Sequence, residues 1–118
     1  MLCYGLLVYP RGFWENNIDF DTLNEYVSEE TNENIINLFE VMQNEIEKEI
    51  NIKNLFKHLR NSISHSRVEI DFNKNIFTFI DINPNSSKVF SVSIEGIKLV
   101  LFLKGIGRYF TKLDQINL

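Results

Sequence analysis

The run NIKNLFKHLRNSISHSRVEIDFNKNIFTFIDI, residues 51–82, decides the fold, because the spacing of its apolar residues changes partway along it. Ile52, Leu55, Phe56, Leu59 and Ile63 recur at three- and four-residue steps, which puts them in one stripe of a helix over 52–64. Asn51 is a natural N-cap for that helix, since its side-chain oxygen can accept an otherwise orphaned backbone N–H. After Arg67 the period falls to two. Val68, Ile70 and Phe72 alternate with polar residues, Asn73-Lys74-Asn75 has turn chemistry, and Ile76-Phe77-Thr78-Phe79-Ile80-Asp81-Ile82 is rich in strand formers. An antiparallel β-hairpin over 67–82 follows.

Upstream, Ile35, Leu38, Phe39, Met42, Ile46 and Ile50 also recur at helical steps. They predict a helix over 33–49, capped by Thr31 or Asn32, with Asn37, Glu40, Gln43, Asn44, Glu47 and Lys48 on a solvated face. It meets the 52–64 helix near Ile50 and Asn51, either as an antiparallel hairpin or as one long bent helix. A shorter helix is expected over 20–27 with Asp19 or Asp21 as its cap. Residues 10–19, PRGFWENNID, read as a loop anchored by Trp14, and residues 1–9 as an apolar segment packed on the core. Downstream, Asn83-Pro84-Asn85-Ser86-Ser87 is a loop and 89–92 a short third strand. Ser93 is then placed to cap a last helix over 94–110, with Ile97, Val100, Leu101, Leu103 and Ile106 apolar and Gly105 and Gly107 weakening its end. The expected fold is mainly α: one domain over 1–118, a helical bundle with an inserted antiparallel β-hairpin before the last helix.

Composition bounds the function. The chain has 118 residues, 44% hydrophobic and 13% aromatic with 10 Phe, enough apolar surface for one core and too much for a disordered chain. With 12 Lys+Arg against 16 Asp+Glu the net charge is −4, which excludes a generic basic coat for nucleic acid. There is no Ala, against 15 Asn and 15 Ile, which reads as the mark of an AT-rich, bacterial genome. A single cysteine, Cys3, without a nearby base suits a reducing compartment, and residues 1–9 lack the positive start of a signal peptide and the length of a membrane span. A cytoplasmic protein without a membrane segment is expected. There is no glycine-rich phosphate loop, no Cys/His zinc spacing and no nucleophile elbow, so no cofactor and no metal site is expected.

The chemistry concentrates between residues 57 and 67. Both histidines, His58 and His65, and two of the four arginines, Arg60 and Arg67, fall there. On an ideal helix Asn61, His65 and His58 share the face opposite the apolar stripe, with Arg60 on the flank about 140° from His65. This polar row is expected to face water or a partner chain. Arg60 and His65 could converge if the helix ends near Ser64, or across a two-fold axis from two copies of the chain. A permanently charged guanidinium can bind a phosphate, and an imidazole can move a proton at a ribose hydroxyl or leaving oxygen. Together they suffice for RNA cleavage, in which the RNA's own 2′-hydroxyl attacks.

The run Arg60-Asn61-Ser62-Ile63-Ser64-His65 resembles the R-x4–6-H motif of the HEPN superfamily (higher eukaryote and prokaryote nucleotide-binding domain), often written with Asn directly after the Arg. The passage from Ser66 through a β-hairpin into a last helix resembles a bacterial, RNase-like subgroup. Ser66 departs from it, since Gly is more typical there. The resemblance implies a homodimer with the motif near its two-fold axis and RNA as substrate. It also implies a role in a toxin or phage-defence system, where an antitoxin can be a partner. Arg60 would contact the scissile phosphate, His65 would transfer the proton and Asn61 would orient or bind through its amide. Arg67, His58, Ser64 and Lys57 would add substrate contacts. The family also contains inactive members that bind a nucleotide or protein. Plainer roles stand beside these. Arg60 could pair Glu69 or Asp71, His65 could cap the helix C-terminus, the serines could bond helix ends, and Phe77 and Phe79 could be packing residues.

Overall fold

A computed structural model describes residues 18–117, with side chains as far as Lys112. The expectations for residues 1–9, for most of the 10–19 loop, and for Cys3 and Trp14 lie outside the described residues. The elements run α1 (Phe20–Thr31), α2 (Ile35–Leu38), β1 (Glu40–Asn44), α3 (Ile52–Ser64), β2 (Val68–Asp71), β3 (Ile76–Ile82), β4 (Val89–Glu95) and α4 (Gly96–Asn117). The strands form one four-stranded antiparallel sheet in the order β1-β4-β3-β2. The fold is therefore mixed α and β, and the mainly α expectation is wrong.

The error lies at residues 33–49. Only one helical turn, α2, forms there. Phe39 leaves it in extended backbone (φ −108°, ψ 134°), and Glu40–Asn44 pair with β4 instead. Buried β4 exposes a row of N–H and C=O groups that require partners, and β1 supplies them. Asn44 then stops regular structure, because its Oδ1 accepts the N–H groups of Ile46 (3.2 Å) and Glu47 (2.9 Å). Ile46 and Ile50 still pack on the core, from an irregular segment. Thus, Met42 apart, the apolar spacing reported burial correctly and conformation wrongly, and neither a helical hairpin nor a bent helix exists at Ile50.

Other elements follow local chemistry. Asp19 caps α1 by accepting the Thr22 N–H, which with the Thr22 hydroxyl holds its carboxyl below the ordinary range. Asn51 and Asn54 cap α3 reciprocally, the Asn51 side chain accepting the Asn54 N–H and the Asn54 side chain the Asn51 N–H. The β2–β3 hairpin is as expected, its turn held by Asp71 Oδ1, which accepts the N–H groups of Asn73 and Lys74. β4 is longer than expected. Ser93 pairs with Glu40 and Thr78 inside the sheet and caps no helix, and α4 begins at Gly96.

The core lies between the inner face of the sheet and the helices. Phe79, Phe90, Val92 and Ile94 meet Leu23, Val27, Leu55, Phe56, Leu59, Leu99, Phe102 and Ile106. Phe102 is fully buried, with Phe39 edge-on at 5.2 Å and Phe56 at 5.7 Å. The α4 stripe is rotated from expectation, since Ile97 and Val100 are exposed. Gly105 does more than weaken the helix. A Cβ there would stand 2.7 Å from Val27 Cα, so its absence allows α1 and α4 to touch. Among the described residues no helix is long and apolar enough to cross a membrane.

Candidate functional site

α3 carries the candidate residues toward the end of the sheet. Its stripe of Leu55, Phe56 and Leu59 is buried, which fixes the rotation of the helix and so the direction of every polar residue on it. The helix ends in a Schellman motif. The Ser66 N–H donates to the Ile63 carbonyl (3.1 Å) and the Arg67 N–H to the Ser62 carbonyl (2.7 Å). Such an ending requires a left-handed residue, and Ser66 adopts it at φ 56°. The glycine expected from the family pattern has its physical reason here.

His65 is the C-cap residue, and its N–H donates to the Asn61 carbonyl (3.1 Å). Ser64, His65 and Arg67 are exposed, while Arg60 and Asn61 are half-buried. Arg67 also joins helix to sheet, its carbonyl accepting the Ile80 N–H (3.0 Å). The motif thus occupies the last turns of α3, with its histidine at the open end.

The polar row does not face outward as a whole. His58 is 3% exposed and stacks on Phe90, with ring centroids 4.1 Å apart. Its Nδ1 lies 2.6 Å from Asp81 Oδ2 and its Nε2 2.6 Å from Glu47 Oε2. The reason is positional. Asp81 and Phe90 are cross-strand partners on β3 and β4, so both side chains point to the face that α3 covers. The expectation that His58 faces water or a partner chain is therefore corrected. Each ring nitrogen thus has a carboxylate oxygen within hydrogen-bond distance.

Two neighbours complete the network. Asn61 Nδ2 donates to the same Asp81 Oδ2 (3.1 Å), and Lys57 Nζ lies 3.6 Å from Glu47 Oε2. The structure thus joins His58, Asn61 and Lys57 through two carboxylates and leaves Ser64, His65 and Arg67 at the exposed helix end. Among the described residues no group of three or more His, Cys, Asp or Glu is arranged to hold a metal ion.

Glu47 and Asp81 are the site residues that the sequence reading passed over. Asp81 had a signal: it continues the inward alternation Phe77, Phe79, Asp81, where a charge needs a buried partner. Glu47 had none, because it was assigned to the outer face of a helix that does not form.

Among protein families, the one described as HEPN pEK499 p136 matches the chain over residues 1–116. No curated protein and no solved structure gives a significant match.

Proposed function

The chain belongs to the HEPN pEK499 p136 family, and on that premise we propose that it is an endoribonuclease of a bacterial toxin or phage-defence system. The observation that carries the proposal is the location of Arg60-Asn61-x3-His65 on the last turns of α3, with His65 exposed at the C-cap. Cleavage of RNA needs little beyond that set. The 2′-hydroxyl oxygen bonds to phosphorus, the bond from phosphorus to the 5′ oxygen breaks, and the proton lost by the first oxygen is balanced by one gained at the second. His65 is the group that moves a proton, and Arg60 offsets the charge growing on the phosphate. The nucleophile belongs to the substrate, so no metal-bound water is required. Exposed Arg67 and Ser64 extend the contact to RNA. A cytoplasmic homodimer with two motifs near its axis would double the local positive charge, and an antitoxin would be a partner that covers it.

One observation favours a second reading, a catalytically silent module that binds a nucleotide or protein. Lys57 and His58, both expected to contact substrate, are engaged by Glu47 and Asp81. The test is RNA cleavage in EDTA by folded wild type, His65→Ala and Arg60→Ala. The nuclease reading expects losses of roughly 100- to 10,000-fold in both variants. Equal activity in all three would remove the assignment. A folded, dimeric wild type without activity would support the binding module.

A further inference from the structure

We infer that Asp81, on β3, is a positioning residue for the Arg60-Asn61-x3-His65 motif, setting the Asn61 side chain through a carboxylate oxygen that it shares with His58; the inference rests on the nuclease reading given above. Three observations carry it. First, Asp81 Oδ2 is 3.1 Å from Asn61 Nδ2 and 2.6 Å from His58 Nδ1, so a single atom receives both donors. His58 and Asn61 stand three residues apart and therefore on one face of α3. Second, Asp81 cannot swing away. It is 7% exposed, anchored in the register between Val89–Glu95 and β3, and opposite Phe90, on which His58 stacks. Third, the far side of the His58 ring is closed by Glu47, itself beside Lys57, so the imidazole is gripped from the β1–α3 segment and from β3 together.

An amide has two rotamers that differ only in which end is donor. Asp81, as an acceptor, selects the one that turns Nδ2 toward the sheet and leaves Oδ1 as the free end of Asn61. Arg60 and Asn61 are adjacent, so the rotation of α3 that satisfies Asp81 also sets the direction of the guanidinium. In this arrangement Asp81 touches no substrate. It fixes the polarity and placement of the motif's amide, and a misplacement of about 1 Å can cost roughly 100-fold in rate.

Three variants separate positioning from stability. Asp81→Leu keeps the bulk and removes the acceptor. Asp81→Asn restores an acceptor oxygen without the charge. Glu47→Gln weakens the other grip on His58 and leaves the Asp81–Asn61 bond intact. The first readout needs no substrate: the Asn61 side-chain amide resonance by NMR, with its hydrogen-exchange rate. Protection is expected in wild type, Asp81→Asn and Glu47→Gln, and its loss in Asp81→Leu. The second is kcat on RNA per folded molecule, expected to fall about 10- to 100-fold in Asp81→Leu, with KM nearly unchanged and substantial recovery in Asp81→Asn. An Asn61 amide unchanged in Asp81→Leu would overturn the inference. So would an equal loss of kcat in Asp81→Leu and Glu47→Gln, which would mark both as stability effects alone. If wild type cleaves no RNA, the nuclease reading fails while the amide resonance still decides whether Asp81 orients Asn61.

Discussion

Replacing His58 by leucine should destabilise the chain by about 3 kcal/mol. The substitution removes two charge-assisted hydrogen bonds of 2.6 Å, each worth about 1.5–3 kcal/mol net. Leucine is of similar bulk and keeps apolar contact with Phe90, so little packing is lost. The larger effect is on what stays behind. Glu47 and Asp81 have side chains only 17% and 10% exposed, and they would face each other's charge without the ring between them. Removing one partner of a buried pair costs about 3–5 kcal/mol. The lower end applies here, because Asp81 keeps the Asn61 amide and Glu47 keeps Lys57 at 3.6 Å. The assay is urea unfolding of wild type and His58→Leu at pH 7. With an m-value of about 1–3 kcal/mol per molar for a domain of this size, the midpoint should drop by more than about 1 M. The loss should persist in about 0.5 M salt, since buried charges are poorly screened. A loss below about 1 kcal/mol, or one abolished by salt, would refute the account of a buried ion cluster.

Gly105→Ala should cost about 1–3 kcal/mol, because the new methyl meets Val27 backbone at 2.7 Å, while Gly107→Ala, with nothing within 4 Å, should gain about 0.5–1 kcal/mol; thermal melts of the pair check both signs. Ser66→Gly should stabilise by about 1 kcal/mol by relieving a left-handed non-glycine residue, and an unchanged melting temperature would count against strain at that position. The Glu45 carboxylate accepts the Val89 N–H and the Gln43 amide, which hold it below its ordinary 4.5, and Asp19 is held below 3.8 by Thr22. A carboxyl depressed in the folded state contributes stability that is complete above its ordinary value and lost as pH falls through the folded one. Melting temperature should therefore be level through these groups above about pH 5 and fall below about pH 4, less steeply in Glu45→Gln.

Much of the local structure was legible because local chemistry made it. Asn51, Asp19 and the Asn73–Asn75 turn are short-range devices; Asn51 and the turn stand where the sequence placed them, and Asp19 is one of the two caps it offered. The stripe of α3 was also legible, since its hydrophobic period and its conformation agree. At 33–49 they disagree. Ile35 and Leu38 are buried from a single helical turn, Met42 is 58% exposed on an edge strand, and Ile46 and Ile50 pack from irregular chain. What decides that segment is the demand of β4 for hydrogen-bond partners, which no window of local sequence contains. The candidate site divides in the same way. The Arg60–His65 run is contiguous and could be read. The environment of His58 is built by Glu47 and Asp81, brought in from a segment with no regular structure and from another strand, so its burial could not be read.

The order β1-β4-β3-β2 has a consequence for how the chain reaches its native state. Glu45 and Val89, which close the β1–β4 pairing from both sides, are 44 residues apart. β2, β3 and β4 can assemble as successive hairpins, with only short loops to close. β1 must wait until β4 exists, and α3 lies between them. The grip on His58 spans the same divide, since Glu47 follows β1 while Asp81 belongs to the hairpin side. The first strand and the ion cluster are thus closed across the same divide in the chain. Closing that 44-residue loop also encloses the helix bearing Arg60, Asn61 and His65.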